Sequence, residues 1–309
     1  MQQFSSLNDI RLSGAWLSIG TFDGVHRGHQ QIINQLVNGA HQDNVLAVIL
    51  TFFPHPAVAL GKRDQGYYLT SPIDRAELIS KLGVDILITE PFTIELSNSS
   101  AHEFISYLYS HINFQKLVVG YNFALGRNRE GNVAYLMEIG GELGFSVITM
   151  PPYKIDSKVV SSSEVRASLL TGNVNNVVKL LGRYYSIEGE VILGEGRGKL
   201  LKIPTANLSI WAQQILPKPG VYVCRVYHGK DCWGAVTNIG VRPTFELEPV
   251  PARLETHLLD YKGDLYGEHL KLEFIDRLRD ELRFSNKDDL IKQIQLDINL
   301  ARPIIDRLG

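Results

Sequence analysis

The sequence predicts two domains of different class. The first is an α/β domain on a parallel sheet over residues 1–182, and the second a small antiparallel β-barrel with a terminal helix over residues 183–309. Three observations carry this. A length of 309 residues suits two domains at roughly 100–200 residues each. Up to residue 150, strand-like apolar runs alternate with helical periods, the pattern of a parallel sheet covered by helices. From residue 185 the pattern becomes short strands cut by glycine-rich turns, as in a small barrel.

Residues 15–22 are the first apolar stretch, closed by Asp23-Gly24, and Ile32, Ile33, Leu36 and Val37 then recur at helical spacing. Residues 45–53 are almost continuously apolar, as a strand buried on both faces requires, until Pro54 and Pro56 end the run. Helices are expected over 71–82, with Ser71 as N-cap and Pro72 at the first helical position, over 101–111 after Ser100, and over 133–143. Short strands fit 85–89, 117–120 and 145–150, and one helical stretch fits 164–181. Barrel strands are expected over 185–193, 220–227, 232–239, 254–259 and 269–275. The turns between them include Gly194-Glu195-Gly196, His228-Gly229-Lys230-Asp231 and Lys262-Gly263-Asp264. A last helix over 287–300 takes Ser285 as N-cap and Asp288 at its third position, and Leu290, Ile291, Ile294 and Ile298 give it an apolar face for the barrel.

Composition narrows the function classes. Hydrophobic residues are 44% and charged residues 21%, ordinary for a globular protein and unlike a disordered or coiled-coil chain. The net charge of -2 gives no basic field for a nucleic-acid backbone or an anionic membrane. No apolar run approaches the roughly 20 residues of a membrane helix. Residues 1–10 lack the basic cluster and apolar core of a signal peptide, so a cytoplasmic protein is expected. The two cysteines lack CxxC spacing and suit neither a disulfide scaffold nor a zinc site. In a hairpin turning at Gly229-Lys230, Cys224 would face Ala235 and Cys232 would face Tyr227, so both are expected reduced and buried.

The sharpest motif is Gly20-Thr21-Phe22-Asp23-Gly24-Val25-His26-Arg27-Gly28-His29, between the first strand and the first helix. That is the carboxyl edge of the sheet, where open α/β sheets bind ligands, and a helix N-terminus there offers N–H groups to phosphate. Gly20, Phe22, Asp23 and Gly28 are expected to contact the nucleotide there, and Gly28, without a side chain, would let phosphate approach the backbone. His26 and His29, three apart, project to one side and can donate to charge developing on a transferring phosphate. A turn merely capped and filled by histidines is the plainer alternative.

The second constellation is Pro204-Thr205-Ala206-Asn207, after a glycine-rich loop containing Gly194 and Gly198 that could cradle phosphate. Residues two apart in an extended segment share a face. The side-chain oxygens of Thr205 and Asn207 can therefore meet one hard cation such as Mg²⁺. An Asx or Ser/Thr turn would use the same residues.

These motifs do not stand alone. The HxGH-bearing stretch resembles the nucleotidyltransferase superfamily of that signature, with a Rossmann-like sheet. Thr51-Phe52-Phe53-Pro54-His55-Pro56, Gly83-Val84-Asp85, Val118-Val119-Gly120-Tyr121-Asn122-Phe123 and Ser161-Ser162-Ser163-Glu164-Val165-Arg166 follow in order. Beyond residue 180 come Leu181-Gly182-Arg183-Tyr184-Tyr185, the PTAN segment, Gly220-Val221-Tyr222, Asn238-Ile239-Gly240-Val241-Arg242-Pro243-Thr244-Phe245, Leu254-Glu255-Thr256-His257 and Asp264-Leu265-Tyr266-Gly267. From about residue 15 to the C-terminus, the chain is similar to bacterial bifunctional riboflavin kinase/FAD synthetases.

The resemblance implies ATP as co-substrate with Mg²⁺, and riboflavin, FMN and FAD as substrates and products. It implies Arg166, with Ser163 in the same segment, on the ATP phosphates, Asn122 near flavin and nucleotide, and His55 in a turn at the site. In the kinase-like module it implies Mg²⁺ and phosphate at Thr205 and Asn207, and Glu255 as base on the ribityl hydroxyl. Without the family, Arg166 could be a surface charge and Glu255 an outward strand carboxylate. The chain departs from the pattern at Lys202-Ile203, where the family has Gly-Phe, and at Ala124, where it has arginine. The expectation is therefore FMN formation followed by FAD formation with release of pyrophosphate. One surviving activity, or a flavin- and nucleotide-binding regulator, are the alternatives. A transient homo-oligomer is compatible with all three.

Overall fold

The N-terminal unit of the computed structural model, Met1–Ser162, turns the alternating pattern into one sheet. In chain order it runs β1 (Gln2–Phe4), β2 (Ala15–Ile19), α1 (Arg27–Gln42), β3 (Leu46–Phe53), α2 (Pro56–Ala59), α3 (Pro72–Ser80), β4 (Ile86–Pro91), α4 (Ile94–Asn98) and α5 (Ala101–Ile112). It continues with β5 (Phe114–Gly120), β6 (Ala124–Leu125), β7 (Gly131–Asn132), α6 (Val133–Leu143), β8 (Ser146–Met150), β9 (Lys154–Ile155) and β10 (Lys158–Val159). The structure describes residues 1–63, 66–194, 204–240 and 253–308.

Six strands lie in the order β1-β4-β3-β2-β5-β8, each pairing parallel. Strand order therefore reverses beside β2, and the crevice at the carboxyl ends of β2 and β5 is the topological switch point. β2 is buried along its whole length because helices cover both faces. Leu17, Ile19 and Val48 pack with Ile105 and Leu108 on one side. Trp16 and Ile49 pack with Ile33, Leu36 and Ile79 on the other. Truncating one such side chain, as in Leu17→Ala, typically costs about 2–5 kcal/mol. Helix ends follow the sequence. Ser71 caps α3 ahead of Pro72, and Ser100 with Glu103 forms a capping box on α5.

The C-terminal unit, Ser163–Gly309, opens within α7 (Ser162–Leu170) and continues through α8 (Val174–Leu181), β11 (Tyr185–Ile192), β12 (Ala206–Ile210), β13 (Gly220–His228), β14 (Asp231–Gly240), β15 (Arg253–Leu258), β16 (His269–Arg279) and α9 (Lys287–Asp306). The strands close a barrel in the order β11-β12-β15-β14-β13-β16, every pair antiparallel. Val221, Val223 and Val236 on its outer face meet Ile294, Ile298 and Ala301 of α9.

Several local expectations need correction. The helical stretch 164–181 is two helices, because Gly172 takes φ +78 and Asn173 caps α8 anew. α8 packs on β11 and β16, and both helices belong to the same compact unit as the barrel, which begins at Ser163. α9 is capped by Asn286, whose side chain accepts from the Asp289 amide at 2.9 Å, not by Ser285, so Asp289 rather than Asp288 is at the third position. Cys224 faces Ala235 and Cys232 faces Tyr227, but only Cys224 is buried. Cys232 sits beside the turn at the hairpin's end and is exposed.

Candidate active sites

The first site is built where β2 hands over to α1. His26 is the N-cap of α1, and its Nδ1 accepts from the His29 amide at 3.2 Å. In the neutral ring the proton therefore sits on Nε2. The His26 and His29 rings stack with centroids 3.6 Å apart, and the edge of Phe22 lies against His29 at 5.2 Å. A Cβ at Gly28 would stand 3.1 Å from the His26 ring, so the glycine leaves room for that stack. The preceding turn is left-handed at Phe22 (φ +47), Gly24 (+79) and Val25 (+39). Gly20 starts it, its amide N–H donating to the Leu50 carbonyl at 3.1 Å.

Asp23 is fully buried. Its carboxylate accepts from the amides of Leu69 (3.0 Å) and Thr70 (3.2 Å) and from the Thr70 hydroxyl (3.3 Å). It ties the turn to the segment before α3. The Ser162 hydroxyl donates to the Asp23 carbonyl at 2.9 Å. His55 follows β3 at the same sheet edge, where its Nδ1 caps α2 and its amide donates to the Tyr68 hydroxyl at 2.7 Å. Asn122 follows β5, the neighbour of β2, and its carbonyl accepts from Arg129 at 3.3 Å. His26, His29, His55 and Asn122 thus share the carboxyl edge of one sheet. Ser163 and Arg166 lie in α7, with Arg166 buried.

Arg75 was not singled out by the sequence reading. It lies on the buried side of α3 and reaches the Thr21 carbonyl at 3.0 Å. The available signal was helical period, which puts Arg75 on the stripe of Ile79.

The second site is a row across three barrel strands. Asn207 of β12 is paired with Glu255 of β15, and Glu255 with Asn238 of β14. All three side chains are half-buried on the outer face. The next row, Ala206, Thr256, Thr237 and Tyr222, is buried, with the two threonine hydroxyls 3.1 Å apart. Directly paired residues of one row have Cβ atoms about 4.5–5.5 Å apart. This brings the amide of the PTAN asparagine beside the Glu255 carboxylate. His257, two residues on, donates from Nδ1 to the Pro204 carbonyl at 2.8 Å and so holds the start of the PTAN segment. Gly194 leans on the same place, since a Cβ there would overlap the Asn207 amide. Asn238 donates to Glu281 at 3.5 Å. Asn238 and His257 had been quoted only as parts of motifs, because their roles come from strand register. Gly198, Lys202 and residues 241–252 lie outside the described residues.

No group of three or more His, Cys, Asp or Glu side chains suited to a metal occurs among the described residues. The hydroxyl of Thr205 and the amide oxygen of Asn207 fit a hard cation that brings most of its oxygen ligands with it, as Mg²⁺ on a nucleotide does.

A paired-histidine turn at the switch point of the sheet and an Asn–Glu row on a closed barrel are candidate sites for phosphate transfer, one in each unit. The FAD synthetase family model matches residues 9–164, and the riboflavin kinase family model matches residues 181–305. Curated relatives named bifunctional riboflavin kinase/FMN adenylyltransferase are similar over nearly the whole length. The protein of Buchnera aphidicola is 33% identical, covering 94% of both chains. That of Listeria monocytogenes is 31% identical, covering 94% of this chain and 93% of its own. That of Escherichia coli is 32% identical, covering 96% and 95%. A crystal structure from Streptococcus pneumoniae, named a macrolide-efflux protein, superposes with a TM-score of 0.88 at 28% identity, covering 97% and 98%. Among the described residues no helix is long and apolar enough to cross a membrane. The chain belongs to the bifunctional riboflavin kinase/FMN adenylyltransferase family.

Proposed function

We propose that the two sites act in succession on one flavin. At the barrel, the terminal ribityl hydroxyl of riboflavin attacks the γ-phosphorus of ATP. The O–P bond of FMN forms, the bond to the β-phosphate oxygen breaks, and ADP leaves. Glu255 takes the hydroxyl proton, and the remaining catalysis is positioning and electrostatics. Thr205 and Asn207 would hold Mg²⁺, which when bound neutralises charge on the ATP phosphates. Gly194 would carry a backbone amide to the same phosphates.

At the sheet, an FMN phosphate oxygen attacks the α-phosphorus of ATP and pyrophosphate leaves. The substrate supplies the nucleophile, so the protein needs no covalent intermediate. His26 and His29 donate to the charge developing on the phosphorus oxygens, with Arg166 adding a positive charge. Ser163, Asn122 and His55 would line the nucleotide and flavin positions. Both reactions draw on cytoplasmic ATP and flavin.

The observation that best supports this reading is the cross-strand pairing of Asn207 with Glu255. It supports the reading because the amide proposed for the phosphate side and the carboxylate proposed as base are cross-strand neighbours. The test is incubation with riboflavin, ATP and Mg²⁺, followed by chromatography. FMN and then FAD are expected. FMN alone would leave only the barrel site active, and unchanged flavin retained by the protein would make it a binding regulator.

A further inference from the structure

Beneath the left-handed turn lies a cation that neither reaction uses. Arg75 is 1% exposed. Its Nη1 donates to the Thr21 carbonyl at 3.0 Å and its Nη2 to the Phe52 carbonyl at 3.4 Å. One planar fork thereby joins the carboxyl ends of β2 and β3. The Thr51 hydroxyl shares the Thr21 carbonyl at 3.2 Å.

Burying a cation is costly, and an apolar side chain of similar volume is often at least as stable. Here the compensation is incomplete, because the buried Nε has no hydrogen-bond partner. Burial pulls the guanidinium pKa down, and the Asp23 carboxylate opposes that. An arginine kept under these conditions does more than fill space. The turn directly after Thr21 holds Phe22 and Val25 at φ +47 and +39, a conformation that non-glycine residues keep only when their surroundings impose it. Asp23 and Gly24 are bonded to Leu69 and Thr70, so the segment leading into α3 and the guanidinium on α3 brace the turn together.

We propose that Arg75 is a positioning residue for adenylyl transfer. Its fork fixes the ends of β2 and β3 so that the turn presents the stacked His26–His29 pair to the transferring phosphate. This rests on the reading that the pair serves that transfer. Arginine suits the task because two nitrogens fixed in one plane serve the two carbonyls, whereas a lysine offers its donors from a single nitrogen on a flexible stem.

The test uses the full-length protein with Arg75→Met and Arg75→Lys. For each, kcat and KM are measured for FAD formation from FMN and for FMN formation from riboflavin, below a separately measured unfolding temperature. Misplacing a reacting group by about 1 Å can cost on the order of 10²-fold. Arg75→Met should therefore lower kcat for FAD formation by roughly 30–100-fold, with KM for ATP and FMN changed less than about threefold. FMN formation should not change. Arg75→Lys keeps the charge and should fold, yet still lose about tenfold in kcat. If Arg75→Met does not fold, the lysine variant decides. A folded Arg75→Lys protein with the parental kcat, or a folded Arg75→Met protein that is only less heat-stable, would overturn the proposal. His29→Ala is measured alongside. Unchanged FAD formation in that variant would remove the histidine pair from the reaction, and the proposal with it.

Discussion

The His257 imidazole donates from Nδ1 to the Pro204 carbonyl, 2.8 Å away, and so ties β15 to the first residue of the PTAN segment. Glu255 stands two residues earlier on the same strand and opposite Asn207. One strand therefore carries the proposed base and also holds the segment that would bind metal and phosphate. Residues that orient metal or phosphate ligands typically matter by about 10–100-fold. His257→Ala should lower FMN formation by that order and raise the Mg²⁺ concentration needed for half-maximal rate. FAD formation from supplied FMN should be unaffected. His257→Asn, which keeps a donor, should recover part of the loss. Initial rates across a Mg²⁺ series decide the point, and an unchanged Mg²⁺ dependence would count against a tether.

The two sites should fail separately. His29→Ala removes a donor to the transferring phosphate, a loss worth roughly 10²–10³ in rate. FAD formation from FMN should fall by that factor while FMN formation holds. Glu255→Gln removes the base, which typically contributes about 10²–10⁴-fold, and should have the reverse effect. Each half-reaction is measured with its own flavin. Loss of kinase activity in a folded His29→Ala protein would break the two-site division.

Compact units suggest where the chain can be cut. A fragment of residues 163–309 should fold as a Mg²⁺-dependent riboflavin kinase. A fragment of 183–309 lacks α8, whose Val174, Val177, Leu180 and Leu181 are buried. Each such side chain contributes roughly 1.5–3 kcal/mol on burial. The shorter fragment should therefore unfold at a clearly lower temperature, which calorimetry would show. A folded 163–309 fragment without kinase activity, beside an active parent, would contradict the assignment of that site.

The cysteines differ in reactivity. Burial pushes the Cys224 thiol up to about 12, against a smaller opposing effect of the Thr237 hydroxyl, so at about pH 8 it is protonated as well as enclosed. Cys232 is exposed. A thiol reagent should titrate one equivalent in the native protein and two after denaturation. Two rapid equivalents without denaturant would show that the barrel interior opens.

What could be read from sequence follows the range of each signal. The nearness of His26 and His29 was legible because an N-cap residue and the one three further on meet across a first helical turn, here through the His29 amide and His26 Nδ1. Ser71 and Ser100 were legible as caps for the same reason. Ser285 was taken for Asn286 because two good capping residues stand side by side and only backbone angles choose between them. β12 is absent from the expected strands because the PTAN segment fits an extended stretch or an Asx turn equally well, and β11 and β15 on either side decide it. The Asn207–Glu255–Asn238 row depends on register between strands far apart in sequence, which spacing does not encode. Helical period puts Arg75 on the stripe of Ile79, but its carbonyl partners at Thr21 and Phe52 lie far off in sequence, which period does not encode.

The closure of the barrel also sets an order of events at the ribosome. β11 is sealed by β16, with Tyr185 opposite Phe274, and until β16 has been translated one side of β11 has no partner. The parallel sheet needs nothing beyond β8. The sheet can thus close while the barrel is still a nascent chain with open strand edges, the kind of surface that draws chaperones and proteases. A premature stop ahead of His269 would release a complete sheet joined to an open barrel, and the cell's quality control would meet the second.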